Sequence, residues 1–337
     1  MKNRKYIFMF ILFIIIITLT YYKIFDKNSI NLILNNINKI NIYTISICLL
    51  FIILYFVLHA VYMKTILNSL KVKIPFSRCI YYCLIEFYFS GITPSSTGGQ
   101  PVQIYRMTKD KIPIRKSYIT LMLNTIYFKL IIIILGIISF FYTKNYLYNN
   151  KVYLFFFILG IFIDLILVIS LMLLIFKQNI IKIILIKIIN KLKKAKILNN
   201  RLKDFNINDF LKKYKDELNY IKNNKKIVIL NFFLTFIQRL LLFSIAYILY
   251  ISFGFKKYSY IDLLMIQISV QVAIEALPLP GGSGLSESMF KDMFTALFGI
   301  KLCDIAIVFT RAFSFYIPLI ISGIIILFNK IFNLKKH

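Results

Sequence analysis

Six ionisable side chains lie inside long apolar runs of this chain: Glu86, Lys129, Asp164, Arg239, Glu275 and Arg311. In hydrocarbon each costs about 2.5–3.5 kcal/mol on insertion scales, so such residues persist where they bind, carry or pair charge. The arginines are the more pointed signal. Only seven of the 42 basic residues are arginine, yet Arg106, Arg239 and Arg311 sit beside polar interruptions or within apolar runs. A planar guanidinium grips a phosphate through two parallel N–H donors, which an ammonium does not. The chemistry suggested is recognition of a phosphate at membrane depth, with Glu86, Glu275 and Glu287 available to a cationic headgroup. The same residues read equally as structural ion pairs between the arginines and these glutamates. Lys129 and Asp164 either pair with each other or reach toward the interface.

The second pointer is where glycine and proline cluster. Five of the 11 Gly (Gly98, Gly99, Gly281, Gly282, Gly284) and four of the 7 Pro (Pro94, Pro101, Pro278, Pro280) fall in two polar loops that interrupt apolar sequence. Lipid cannot satisfy exposed N–H and C=O groups, so irregular backbone at membrane depth must be enclosed by protein or face a wet cavity. Interrupted apolar segments in corresponding halves are the usual pointer to a midplane substrate site in inverted-repeat transporters. Their helix ends offer free N–H groups and a positive dipole end, which suit a phosphate. Two unrelated surface loops are the plain alternative.

These residues need a scaffold, and composition supplies one. The chain has 337 residues, 59% hydrophobic and 16% charged, with mean hydropathy +0.77. A soluble domain carries about 25% charged residues, so an ordinary soluble enzyme is excluded. At about 20 residues per crossing we expect an all-α polytopic membrane protein. It has about six full transmembrane helices, near 6–22, 42–62, 117–142, 152–176, 227–253 and 304–328. Two re-entrant or broken segments, 79–105 and 258–300, complete an inverted pseudo-repeat. The whole reads as one transmembrane domain, with a first half over 1–142 and a second over 227–330. Between them, 177–226 holds fifteen Lys/Arg against four acidic residues and reads as an amphipathic helix on an anionic leaflet or as a solvated loop. Net charge is +29. Its basic residues flank the apolar runs, which points to anionic lipid and the positive-inside rule rather than to nucleic acid. Both termini are expected in the cytoplasm.

Other chemistries find no support. Cys48, Cys79, Cys83 and Cys303 lie in or beside apolar segments without metal-ligand spacing, and read as small buried residues. With only His59 and His337, a histidine metal centre or triad is not expected. Gly98-Gly99-Gln100 lacks the context of a nucleotide loop, and Pro280-Gly-Gly-Ser-Gly284 lacks the spacing of a nucleophile elbow. No cofactor and no ATP coupling are expected.

At the two loops the chain resembles a known family. GITPSSTGGQPVQIYRM (91–107) and LPLPGGSGLSE (277–287), separated by a basic central loop, look like the lysylphosphatidylglycerol synthase transmembrane-region family, also called flippase-like proteins. The resemblance covers about residues 5–330. It implies an integral cytoplasmic-membrane protein that handles lipids. In the multiple peptide resistance factor branch it moves lysylphosphatidylglycerol to the outer leaflet, and a separate soluble domain makes that lipid. It adds Thr93, Gln100 and Tyr105 to the substrate-binding candidates Glu86, Pro94, Gly98, Gly99, Arg106, Arg239, Gln271, Glu275, Pro280, Gly281, Gly282, Gly284, Glu287 and Arg311. Two departures stand out. The sequence ends at His337 just past the last apolar run, so the aminoacyl-transfer domain is expected to be absent. Where many members carry an acidic–basic pair, this chain reads LMLNTIYFKL (121–130), with Asn124, Thr125 and Lys129. The expected function is a phospholipid transporter or flippase, with membrane phospholipids as partners. The alternatives are phosphatidylglycerol lysyltransferase, or its membrane subunit with a separately encoded synthase, acting in cationic-peptide resistance, and an ion-coupled small-solute transporter. A homo-oligomer is left open.

Overall fold

The computed structural model describes residues 41–93, 96–176, 183, 186, 207–275 and 285–334. All regular structure among them is helical. Five helical stretches are long and apolar enough to cross a membrane: Ile42–Ser69, Ile114–Asn149, Lys151–Ile175, Lys225–Ser252 and Leu302–Asn329. They coincide with five of the six expected spans. The sixth, at 6–22, lies outside the described residues.

Helix α1 (Ile42–Ser69) is capped by Asn41, whose side chain accepts from the Tyr43 amide. It is followed by α2 (Phe76–Gly91) and α3 (Gly99–Lys109), which pack against each other. At 1.5 Å per residue these are about 24 and 16 Å long, short of the roughly 30 Å of hydrocarbon. The two form a hairpin of helices each shorter than a full crossing. The turns at its base share a design. Lys71 and Lys111 adopt left-handed φ of 58° and 63°. The next amides, Val72 and Ile112, reach back to the carbonyls of Leu67 and Met107, closing Schellman-type caps. Pro75 and Pro113 then start the following helices. The Lys116 Nζ donates to the Leu70 carbonyl at 2.6 Å, tying the two turns together.

Helix α4 (Ile114–Asn149) is about 54 Å long by the same rise and overruns the bilayer. It is the axis of the molecule: its apolar window is 61% buried, against 17–39% for the other spans. Helix α5 (Lys151–Phe176) returns beside it. Helix α6 (Ile207–Asn223) is amphipathic and buries Leu211, Tyr214, Leu218 and Ile221 on one stripe. Arg115 at the base of α4 pins it through Glu217, with Nε and Nη2 donating to the two carboxylate oxygens at 2.7 and 2.9 Å. So the end of the basic central segment docks on the bundle. Most of the rest of 177–206 lies outside the described residues.

Helices α7 (Lys225–Phe243) and α8 (Ile245–Ser252) make the next span. Helix α9 (Tyr260–Glu275) packs into the cleft between α4 and α5. Gly136 and Gly160 both face Val272 there, and a Cβ on Gly160 would run into the Val272 backbone carbonyl. Helix α10 (Leu285–Phe298) precedes α11 (Ile300–Arg311), a π turn at Ala312–Tyr316 and α12 (Ile317–Leu334). Pro318 cannot donate to the Ser314 carbonyl and its ring crowds it, which the wider turn relieves.

Candidate functional site

The interior carries a continuous set of charged and polar side chains centred on Arg239 of α7. Its guanidinium lies over the Phe128 ring at 3.7 Å from the centroid, with Tyr55 on another side at 5.5 Å. Nη1 donates to the Tyr55 hydroxyl at 3.4 Å, and Nε is buried with no acceptor. A cation between aromatic faces is held without being neutralised. Two carboxylates from different helices, Glu86 of α2 and Glu275 of α9, share this interior, and the Phe128 ring under Arg239 also carries Lys129 Nζ at 5.2 Å from its centroid.

Each carboxylate has its own closer partner. Glu86 Oε2 stands 3.4 Å from Nε2 of His59, a residue of α1 buried at 4% exposure. The same nitrogen is 3.2 Å from Asn124 Nδ2. That nitrogen either donates to Glu86 or accepts from Asn124, so its tautomer selects between the two contacts. Glu275 pairs with Lys129 and accepts from Gln271 Nε2 at 3.0 Å. Lys129 Nζ also lies 2.7 Å from Oδ1 of the fully buried Asp164. One ammonium thus ties α4 to α5 and α9 and is shared by two carboxylates. Low dielectric makes such pairs strong and makes their separation costly.

Of the expected site residues, Glu86, Arg239, Gln271 and Glu275 are brought together here. Glu86 has His59 and Glu275 has Lys129 as its direct partner. Lys129 and Asp164 pair, as one of their two expected readings had it. His59 and Asn124 were missed as site residues. His59 is an ionisable group in an expected span, and that was the signal for it.

The first loop proves to be a tightly packed hairpin tip. Thr93 Oγ1 donates to the Phe89 carbonyl at 2.6 Å and accepts from the Gly98 amide at 2.9 Å. A Cβ at Gly98 would overlap the Thr93 side chain, and one at Gly99 would strike Ser90 and the Glu86 carbonyl. The Gly-Gly pair therefore lets α3 start against the end of α2, and one of its amides is already used. Gln100 Nε2 donates to Thr125 Oγ1 on α4 at 2.5 Å. Tyr105 is exposed. Arg106 lies toward the base of the hairpin, beside Asp110. Arg311 is buried over Phe315 and Tyr316. Glu287 falls in the first turn of α10. Pro94, Pro280, Gly281, Gly282 and Gly284 lie outside the described residues. The four cysteines are free and buried, and no group of metal-holding side chains occurs among the described residues.

A multi-helix membrane protein with a charged cluster inside the bundle is the class that fold and site define. The family described as Lysylphosphatidylglycerol synthase TM region matches residues 7–322, and the chain belongs to it. No curated protein and no solved structure matches this chain.

Proposed function

We propose that the protein is a lipid transporter of the cytoplasmic membrane. It binds a phospholipid, an aminoacylated one such as lysylphosphatidylglycerol or a related lipid, and moves its headgroup between leaflets. The observation that carries this reading is Arg239, a half-buried cation held by aromatic rings in the same interior as the Glu86–His59 and Glu275–Lys129 pairs of different helices. A headgroup with a phosphate and an amine has the complementary charges: phosphate to the guanidinium, amine to Glu86, acyl tails to the bilayer.

In this reading the two interrupted segments form an inverted pair around the headgroup, and alternating access comes from rocking one half against the other. The basic ends of the helices face the cytoplasm. Six spans and two re-entrant segments complete the topology. The test uses full-length protein in proteoliposomes, with amine-reactive labelling of lysylphosphatidylglycerol to follow which leaflet holds it. Wild type should speed equilibration between leaflets. Arg239→Ala and Glu86→Gln should each slow it about tenfold or more, the loss of a charge-assisted contact. Rates unchanged in both variants would remove Arg239 and Glu86 from the mechanism.

The family description favours a second reading, a membrane subunit for aminoacyl-phospholipid synthesis. Under it, cells expressing this chain alone, with a lysyl-tRNA supply, accumulate a new aminoacyl-lipid on thin-layer chromatography. No new species counts for the transporter.

A further inference from the structure

Apart from the Arg239 cluster, two of the seven arginines meet at the base of the α2–α3 hairpin. Arg78, in the first turn of α2, places Nε 3.1 Å from Oδ2 of Asp110. Arg106, in the last turn of α3, places Nη2 3.5 Å from Oδ1 of the same carboxylate. The Tyr82 hydroxyl donates to Oδ2 at 2.7 Å. Both guanidinium carbons also lie over the one Tyr81 ring, at 5.8 and 5.5 Å from its centroid.

The charge does not close. Two guanidiniums share one carboxylate, leaving a net +1 on a group in which Asp110 is 17% exposed and the arginines 32% and 25%. Nor do the donors. Each guanidinium has five N–H bonds, and Arg106 Nε is buried with no acceptor. A hairpin clamp would need one arginine and one aspartate. Two forks fixed on a common carboxylate and a common ring, partly open to the outside, match an oxyanion with three or more acceptor oxygens.

We propose that Arg78 and Arg106, spaced by Asp110 and Tyr81, form a second anion site at the mouth of the hairpin that takes a phosphate, either the phosphodiester of an anionic phospholipid or free inorganic phosphate. The site does not depend on lipid being moved: a protein that binds lipid without transporting it has it too. The arginines are the ligands, and Asp110 is the counter-ion they share in the absence of phosphate.

The test is thermal unfolding of the full chain in detergent. Inorganic phosphate is compared with chloride at equal ionic strength, and phosphatidylglycerol with phosphatidylcholine in mixed micelles. A ligand of the folded state raises Tm, and the expected rise is about 2 °C or more. A rise with both phosphate and phosphatidylglycerol means that the oxyanion itself is recognised. A rise with phosphatidylglycerol alone assigns the site to lipid. In Arg78→Gln/Arg106→Gln the rise should disappear. Asp110→Asn keeps both forks and frees them, so the rise should persist or grow even where the starting Tm falls. No rise with either ligand, the same rise in the double glutamine variant, or a rise lost in Asp110→Asn overturns the proposal. Leaflet exchange in proteoliposomes reports separately on the Arg239 reading.

Discussion

Lys129 is the residue on which the interior depends most directly. It faces Asp164 and Glu275 from two other helices, and Asp164 is fully buried. Lys129→Met leaves two carboxylates in low dielectric without the ammonium they share. Breaking a buried pair from one side costs about 3–5 kcal/mol, so this variant should lose a large part of its stability. Asp164→Asn removes the charge that Lys129 does not need for Glu275, and the cost should be about half as large or less. Unfolding followed by circular dichroism in detergent checks the order. A Lys129→Met protein as stable as Asp164→Asn would mean that the ammonium is not the hub. The partners themselves were not readable from sequence. Charged residues in apolar runs announced that something must neutralise them, but Lys129 and Glu275 are separated by 146 positions. Which glutamate meets which cation is decided by how α4, α5 and α9 pack. Spacing along the chain carries no trace of that packing, and so His59 rather than an arginine takes Glu86.

Elements were more legible than contacts, because hydropathy acts on each segment alone. The five apolar runs became the five long helices, and the 14-residue run at 79–92 became a helix too short to cross. The helix ends ran beyond the apolar runs. Helix α4 extends from the expected 117–142 to Ile114–Asn149, because a helix once formed continues through polar residues until a cap or turn stops it. The hairpin tip carries a different lesson. Gly98 and Gly99 were read as a source of free N–H groups, whereas the close approach of α2 and α3 accounts for both. Gly99→Ala sets a methyl against the Glu86 carbonyl and Ser90. Forcing the helices apart should cost about 1–3 kcal/mol. Lys111→Gly is the control. It removes a side chain from a left-handed turn while loosening the unfolded chain, so the two effects offset and stability should stay within about 1 kcal/mol. If both glycine-tip and turn variants unfold at the wild-type temperature, the tip does not require its glycines.

At the scale of the whole molecule, one end of the described bundle gathers Lys71, Lys73, Lys111, Arg115 and Lys116. The turns after α1 and α3, the start of α4 and the docked α6 meet at one end through Lys116–Leu70 and Arg115–Glu217 contacts. An open groove of about 770 Å³ beside α1 at this end is lined by Lys64, Asn68, Lys71, Lys73 and Ile74. Helix α4 leaves from this end and finishes at Asn149, where α5 turns back. Long helices cannot reverse without a loop, so Lys73 and Lys151 must lie on opposite sides of any membrane the bundle crosses. The positive-inside rule then predicts a cytoplasmic Lys73. Both lysines are exposed, and the four native cysteines are buried, so a single introduced cysteine reports cleanly. Lys73→Cys should react with a membrane-impermeant maleimide in inside-out vesicles and stay unlabelled in right-side-out ones. Lys151→Cys should show the reverse. Labelling of both from one side would break the reading of α4 as a full crossing. A clean inversion of the pattern would keep the bundle and turn it over, placing the Arg78–Arg106 mouth and its lysines on the outer face.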